Sequence, residues 1–311
     1  MAESRQLPLF PASSPRPGVV PSPSGLAPDE GDAPGLALGA CSFAHDSWSG
    51  SFYPAALPAA ARLRYYARFF GAVEVDATFY RIPSAATVAR WLAAVPGRFV
   101  FALKAPRSLT HDARLSLDDA AARRDWEALL ALLPRFGAAR VSLLVQLGPG
   151  LGPEAAPRLD RVLATLPPGT LAAVELRHAG WRGAETDDLL RERGTARAAT
   201  DAPGEAATLP ATAPFAYVRL LGDLTTKYDP RNGKLRHRYD RVLWPKDEDR
   251  SAWAREIARA LAAGLPVHAF VNNHYEGFSP ATLAALRGAV ARRLADAAGE
   301  GGPEAGGAPP G

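Results

Sequence analysis

Residues 72–95 read AVEVDATFYRIPSAATVARWLAAV, and this one stretch holds a complete strand, loop and helix. Val73 and Val75 alternate with Glu74 and Asp76, the period of two expected of a strand with one apolar and one polar face. Ser84 then precedes a run with apolar residues at helical spacing, and its hydroxyl suits the first turn of that helix. A strand followed by a helix is the repeating unit of parallel sheets, so the fold turns on how often the chain repeats it.

It repeats eight times. Strand-like runs occur at GLALGAC (35–41), AVEVDA (72–77), RFVFALK (98–104), ARVSLLVQL (139–147), LAAVELR (171–177), ARAATD (196–201), FAYVRLL (215–221) and PVHAFVN (266–272). Helical runs fill the intervals, several with Ser, Asp or Pro at the start, and the last begins at Ser279 and Pro280. Only APGEAATLPATAP (202–214), after the sixth strand, is too broken by Pro and Gly to make a helix. The expected fold is therefore an α/β, TIM-barrel-like (β/α)8 barrel with one irregular crossover. A flat doubly wound sheet is the rival, but no Gly-rich phosphate turn follows strand one.

The chain has 311 residues, 47% hydrophobic and 22% charged, as expected of a globular protein with a full core. Residues 1–34 and 297–311 are rich in Pro, Gly, Ser and Ala and are expected to be disordered tails. They leave a single domain over 35–296, close to the roughly 250 residues of such a barrel. Net charge is +4, and no block of five or more consecutive Lys or Arg marks a nucleic-acid tail. The single cysteine, Cys41, excludes an intramolecular disulfide and any cluster of several thiolates. There is no signal-peptide pattern and no apolar run near the roughly 18 residues needed to cross a membrane. A cytoplasmic location and no membrane partner are expected.

In a barrel of this kind, the C-terminal ends of the strands and the loops after them build the site. Outer faces must meet the helices, so alternation turns Glu74, Asp76, Lys104, Glu175, Arg177 and Arg219 inward near the upper rim. The loops add Tyr80, Arg107, His111, His178, Asp201 and the run VNNHYEGFSP (271–280). Within that run Asn272 continues the inward alternation, while the direction of Asn273 is not readable. Six buried charges forming a neutral network is the bland reading. A solvent-accessible polar pocket is the stronger one, because each buried ion costs several kcal/mol before it is paired.

The runs WSGSFYP, LRYYARFFGAVEVDATFYRIPSAATVARW, FVFALKAPRSLTH, AAVELRHAGW, TDAP, YVRLLG and HAFVNNHYEGFSP resemble, in order and spacing, the YecE-like family, domain of unknown function 72. The resemblance runs from about Leu36 to Leu294. It implies a TIM-barrel-like fold with a polar cavity at the strand C-termini, and it implies no activity. The family pattern falls on Glu74, Thr78, Phe79 and Tyr80, on Lys104, Thr110 and His111, on Glu175, Arg177 and His178, and on Asn272, Asn273 and Gly277. Two departures matter. Cys41, Ser42 and Phe43 stand where the family has Gly-Trp, and Leu221 stands where many members have His, which removes a possible proton carrier. The run GDLTTKYDP (222–230) suggests a subgroup.

Three chemistries fit these residue types. In the first, Glu74 and Glu175 divide acid and base roles with His178 beside them, acting on a polar anionic or hydroxylated small molecule held by Tyr80, Lys104, Arg107, His111, Arg177, Arg219, Asn272 and Asn273. No cofactor signature is present, but a second reading places a divalent metal on Glu74, Asp76, Glu175, Asp201 or His178. Arg177 and Arg219 aimed at the same space oppose that reading. The third is recognition of an anion through Lys104, Arg107, Arg177 and Arg219. An acid-base enzyme is the preferred expectation. A non-catalytic binding protein for a carbohydrate, phosphate or nucleic-acid fragment is the alternative, with nucleic acid disfavoured.

Overall fold

The computed structural model describes residue 26 and residues 31–137, 140–223 and 238–300. Nine parallel strands form a nearly closed barrel: β1 (Leu36–Ala40), β2 (Ala72–Val75), β3 (Val100–Lys104), β4 (Val141–Gln146), β5 (Leu171–Glu175), β6 (Ala196–Arg197), β7 (Ala199–Thr200), β8 (Ala216–Leu220) and β9 (Val267–Val271). Their order around the barrel is β6-β5-β4-β3-β2-β1-β9-β8-β7. Seven strands fall inside the expected runs. The expected sixth strand is divided at Ala198, so that β6 pairs with β5 and β7 with β8.

The division has a local cause. The amide of Arg197 donates to the Thr212 hydroxyl at 2.8 Å, and that hydroxyl donates to the Thr195 carbonyl at 2.8 Å. Thr212 comes from the irregular connection 202–214, which contains no helix, as its prolines and glycine require. A side chain thus occupies the place where the first half of the strand would pair with β8.

Helices α2 (Ala85–Ala94), α3 (Ala120–Leu130), α4 (Ala156–Leu163), α5 (Ala184–Glu192), α6 (Asp247–Ala262) and α8 (Ser279–Glu300) lie in the intervals. The first helical run shortens to α1 (Arg62–Tyr66), and a single turn, α7 (Asn273–Glu276), follows β9. Side-chain caps work as their residue types predict: Ser84 accepts from the Thr87 amide at 3.2 Å and Asp119 from the Ala122 amide at 2.8 Å.

Strand alternation sorts the core into two parts. Val73, Val75, Phe101, Leu103, Leu143, Val145, Val174, Val218, Leu220 and Val271 face outward into the main core shared with the helices. The inward faces carry Ala37, Ala72, Val100, Ala102, Leu144, Ala173, Tyr217 and Phe270, a second and narrower core rich in alanine. At Gly39 the β1 and β2 backbones approach so closely that a Cβ would stand 2.0 Å from the Ala72 carbonyl oxygen, so no other residue fits there.

Most of the two expected tails, and of the 222–230 run, lies outside the described residues. Asp32 falls inside the expected N-terminal tail yet is fixed. It accepts from Arg287 Nε of α8 at 2.9 Å and from the Leu38 amide at 3.2 Å. Among the described residues no helix is long and apolar enough to cross a membrane.

Candidate functional site

One arginine organises the upper interior of the barrel. Arg219, on β8, is buried and donates through Nε to Glu74 Oε2 at 2.9 Å and through Nη2 to Glu74 Oε1 at 2.5 Å. Its Nη1 donates to Glu175 Oε2 and, more weakly at 3.4 Å, to Gln146 Oε1. The Tyr217 hydroxyl completes Glu74 with a 2.8 Å bond to Oε2, and Arg177 Nε completes Glu175 with a 2.5 Å bond to Oε1. Burial alone would raise the Glu175 carboxyl, but Arg219 and Arg177 outweigh it and hold it down to about 2. Glu175 is therefore ionised at every pH where the protein works. Both oxygens of Glu74 and both of Glu175 are taken by protein donors.

Asp76 sits one step further toward the mouth and differs sharply. Its Oδ1 is buried with no hydrogen-bond partner, 3.6 Å from Lys104 Nζ and 3.7 Å from Arg219 Nη2. The side chain is 35% exposed, so the remaining oxygen faces outward. Burial and then the negative charge of Glu74 push the carboxyl up to about 6, against the pull of Lys104 and Arg219. Lys104 moves the opposite way: burial lowers its ammonium, helped by Arg219 and opposed by Asp76. The pair is thus drawn together on the pH scale.

The sequence builds this pair locally. Thr78 accepts from the Lys104 amide at 2.8 Å, and its hydroxyl faces the Lys104 and Val75 carbonyls at 2.8 and 2.9 Å. That hydroxyl ties the end of β2 to the end of β3 and so fixes Asp76 against Lys104. Phe79 lies under the ammonium, its ring centre 4.3 Å from Nζ. The His111 ring meets Phe79 edge-on, with Nδ1 2.9 Å from the Thr110 hydroxyl. Burial first, then Lys104, Arg177 and Arg107, lower the His111 imidazole and favour its neutral form.

The other expected site residues fall into three groups. Arg177 and Asn272 are at the mouth, although the Asn272 side-chain Oδ1 also caps α7 by accepting from the His274 amide at 3.1 Å. Tyr80 is 77% exposed on the rim. Arg107 forms a surface pair with Asp112 at 3.1 Å, and His178 is exposed and accepts from the Gly180 amide at 3.0 Å, capping a turn. Asn273 belongs to the packing: its Oδ1 accepts from Trp48 Nε1 at 3.2 Å, the Ser279 amide at 3.0 Å and the Ser279 hydroxyl at 2.6 Å.

Two cavities flank the Arg219 network. The smaller, about 210 Å³, is bounded by Asp76, Cys41, His45, Asn272 and His274. The larger, about 860 Å³, opens beyond Glu175 and Arg177 toward the irregular connection, with Leu221 in its wall. Leu221 makes this part of the wall apolar, and its amide is held by Asp201 Oδ1 at 2.6 Å. Asp201 also accepts from the Gly222 amide at 2.8 Å and stands 3.6 Å from Lys246 Nζ.

A divalent metal fits these groups poorly. Among the described residues no group of three or more His, Cys, Asp or Glu is placed to hold one. A cation near Glu74 or Glu175 would have to displace a guanidinium that already fills the carboxylate.

The nearly closed ring of parallel strands with its polar groups at their C-terminal ends defines a TIM-barrel-like protein. The sequence profile described as "Protein of unknown function DUF72" matches residues 37–305, and the chain belongs to that family. The UPF0759 protein YecE of Escherichia coli (strain K12) is 32% identical over 144 residues, 45% of this chain and 52% of that protein. The chain thus spans about half the length of the curated relatives it matches. Among solved structures, a DUF72 family protein from Thermotoga maritima superposes with a TM-score of 0.65 at 23% identity, covering 84% of this chain and 99% of that one. One from Enterococcus faecalis gives 0.61 at 19% identity, covering 84% and 95%. At these identities the likeness speaks for the fold.

Proposed function

We propose that the protein is an enzyme that uses carboxylate acid-base chemistry on a polar, anionic or hydroxylated small molecule at the mouth of the barrel, with Asp76 and Lys104 as the proton-transfer pair. The observation that carries this reading is the buried, unpartnered Oδ1 of Asp76 facing Lys104 Nζ across 3.6 Å. A carboxylate with a free acceptor, half open to the mouth and titrating near 6, suits proton exchange near neutral pH. Glu74 and Glu175, the carboxylates first expected to share this work, are in this proposal the fixed counter-charges that keep Arg219 in place. His178 lies outside the pair, on the wall of the larger cavity.

Screening against sugar phosphates and glycosides, with Asp76→Asn as control, tests the proposal. A substrate turned over by the natural protein and slowed by about 100-fold or more in Asp76→Asn is the expected result. Tight binding without turnover across the panel would favour a non-catalytic binding protein. Turnover that survives Asp76→Asn would remove Asp76 from the chemistry.

A further inference from the structure

The larger cavity is lined by a guanidinium whose outer edge meets no protein acceptor among the described residues. Four basic side chains line its wall: Arg177, Arg182, Arg197 and Lys246. All four have carboxylate partners, Arg182 with Glu205 at 2.9 Å, Arg197 with Asp187 at 2.9 Å, Lys246 with Asp201 at 3.6 Å and Arg177 with Glu175 at 2.5 Å. Arg177 is tied only through Nε, to Glu175, and its Nη1 and Nη2 have no protein acceptor among the described residues. Glu175 thereby grips the root of the guanidinium and leaves its outer edge free. Two parallel N–H donors on a planar edge match the paired oxygens of a carboxylate or phosphate.

The setting around that edge is a binding site rather than open surface. About 860 Å³ lies within the range of small-molecule sites. Trp181 is buried in the wall, its indole fixed by a 2.8 Å bond to the Leu151 carbonyl. Leu176, Ala198 and Leu221 add apolar surface, and Thr200 and Thr208 add hydroxyls. Arg219 stands between the two cavities, touching Glu175 on this side and facing Asp76 on the other.

We infer that the larger cavity is an anion subsite, in which Arg177 grips the phosphate or carboxylate end of a hydroxylated carbon chain whose other end reaches the Asp76–Lys104 pair. The inference rests on the proposed catalytic mouth for the second half of that statement alone. Arg177 is here a binding residue, and Glu175 positions it. The ligand is two-ended: an oxyanion and hydroxyls in the larger cavity, and a polar reacting group on the side of the smaller one.

Calorimetric titration of the full chain with ribose 5-phosphate, gluconate, ribose and inorganic phosphate tests this. Ribose 5-phosphate or gluconate is expected to bind at least about tenfold tighter than ribose, and whichever does so identifies the oxyanion. Arg177→Gln should weaken that probe by about tenfold or more, with Arg177→Lys intermediate because it keeps the charge and loses the fork. Binding of the two anionic probes is read without any turnover, so the subsite stands even if no turnover is found. If Arg177→Gln does not fold, a several-fold weakening in Arg177→Lys supports the subsite and unchanged binding refutes it. Failure of both anionic probes to outbind ribose, or binding indifferent to Arg177→Gln, overturns the inference and leaves the Asp76 proposal untouched.

Discussion

The upper and lower halves of the barrel interior are equally dry and electrostatically opposite. At the top, Glu74, Glu175 and Arg219 are buried yet every oxygen of the two acids meets a donor, and Glu175 is driven down to about 2. At the bottom, His268 is buried among Ala37, Phe215 and Tyr217, has an unpartnered Nδ1, and is lowered to about 4 by burial alone. Asp76 lies between these extremes, with charges nearby but no hydrogen bond to its inner oxygen, and rises to about 6. Burial supplies the same penalty in each case. The number and geometry of partners decide whether the charged form survives it.

The most damaging way to break this contrast is to remove the arginine. Arg219→Leu leaves the buried Glu74 without a counter-ion and Glu175 with Arg177 alone, and is expected to cost about 3–5 kcal/mol in chemical denaturation. A loss below about 1 kcal/mol would mean that the network contributes no more than a surface pair.

His268 sharpens the other half. Its folded value of about 4 lies below the ordinary 6.5, so the unfolded chain binds the extra proton first. Stability is fully retained above pH 6.5 and falls as the pH drops toward 4, by about 3 kcal/mol in total. In His268→Phe that slope should disappear from the pH dependence of the denaturation midpoint. An unchanged slope would place the acid-sensitive group elsewhere.

Asp76 gives the smallest effect and the opposite sign. Its folded value of about 6 exceeds the ordinary 3.8, so folding favours the protonated acid and stability declines as pH rises from 3.8 to 6. Asp76→Asn removes that decline. The variant should gain about 1 kcal/mol on the natural protein at pH 7 relative to pH 3.5, discounted for the solvent-facing oxygen. Equal relative stabilities at the two pH values would mean that Asp76 titrates normally.

Strand alternation made the fold and the direction of the inward charges readable, because both depend on neighbours two residues apart. Glu74, Asp76, Lys104, Glu175, Arg177 and Arg219 all gather at the upper interior. Which carboxylate is locked and which is left open was not readable. That depends on β2, β5 and β8 meeting through Arg219 across sequence separations of 145 and 44 residues. In the sequence Asp76 is one inward charge among six and one candidate metal ligand among five, and the clue to its proposed role is Thr78, whose bond to Lys104 crosses 26 residues. Asn272 and Asn273 are adjacent, chemically identical and both border the smaller cavity, yet Asn272 Oδ1 caps α7 while Asn273 Oδ1 serves Trp48 and Ser279. The division of the sixth strand is equally nonlocal, since Thr212 makes it from 15 residues away.

That division also gives the ring a mechanical weak point. β6 and β7 each contribute two residues and change partners across Ala198. The closure there hangs on one threonine hydroxyl borrowed from a connection that has no helix to brace it. This seam borders the Arg177 cavity, whose wall includes Ala198, Ala199 and Thr200, so the side of the ring with the shortest strands is also the side with room for a guest.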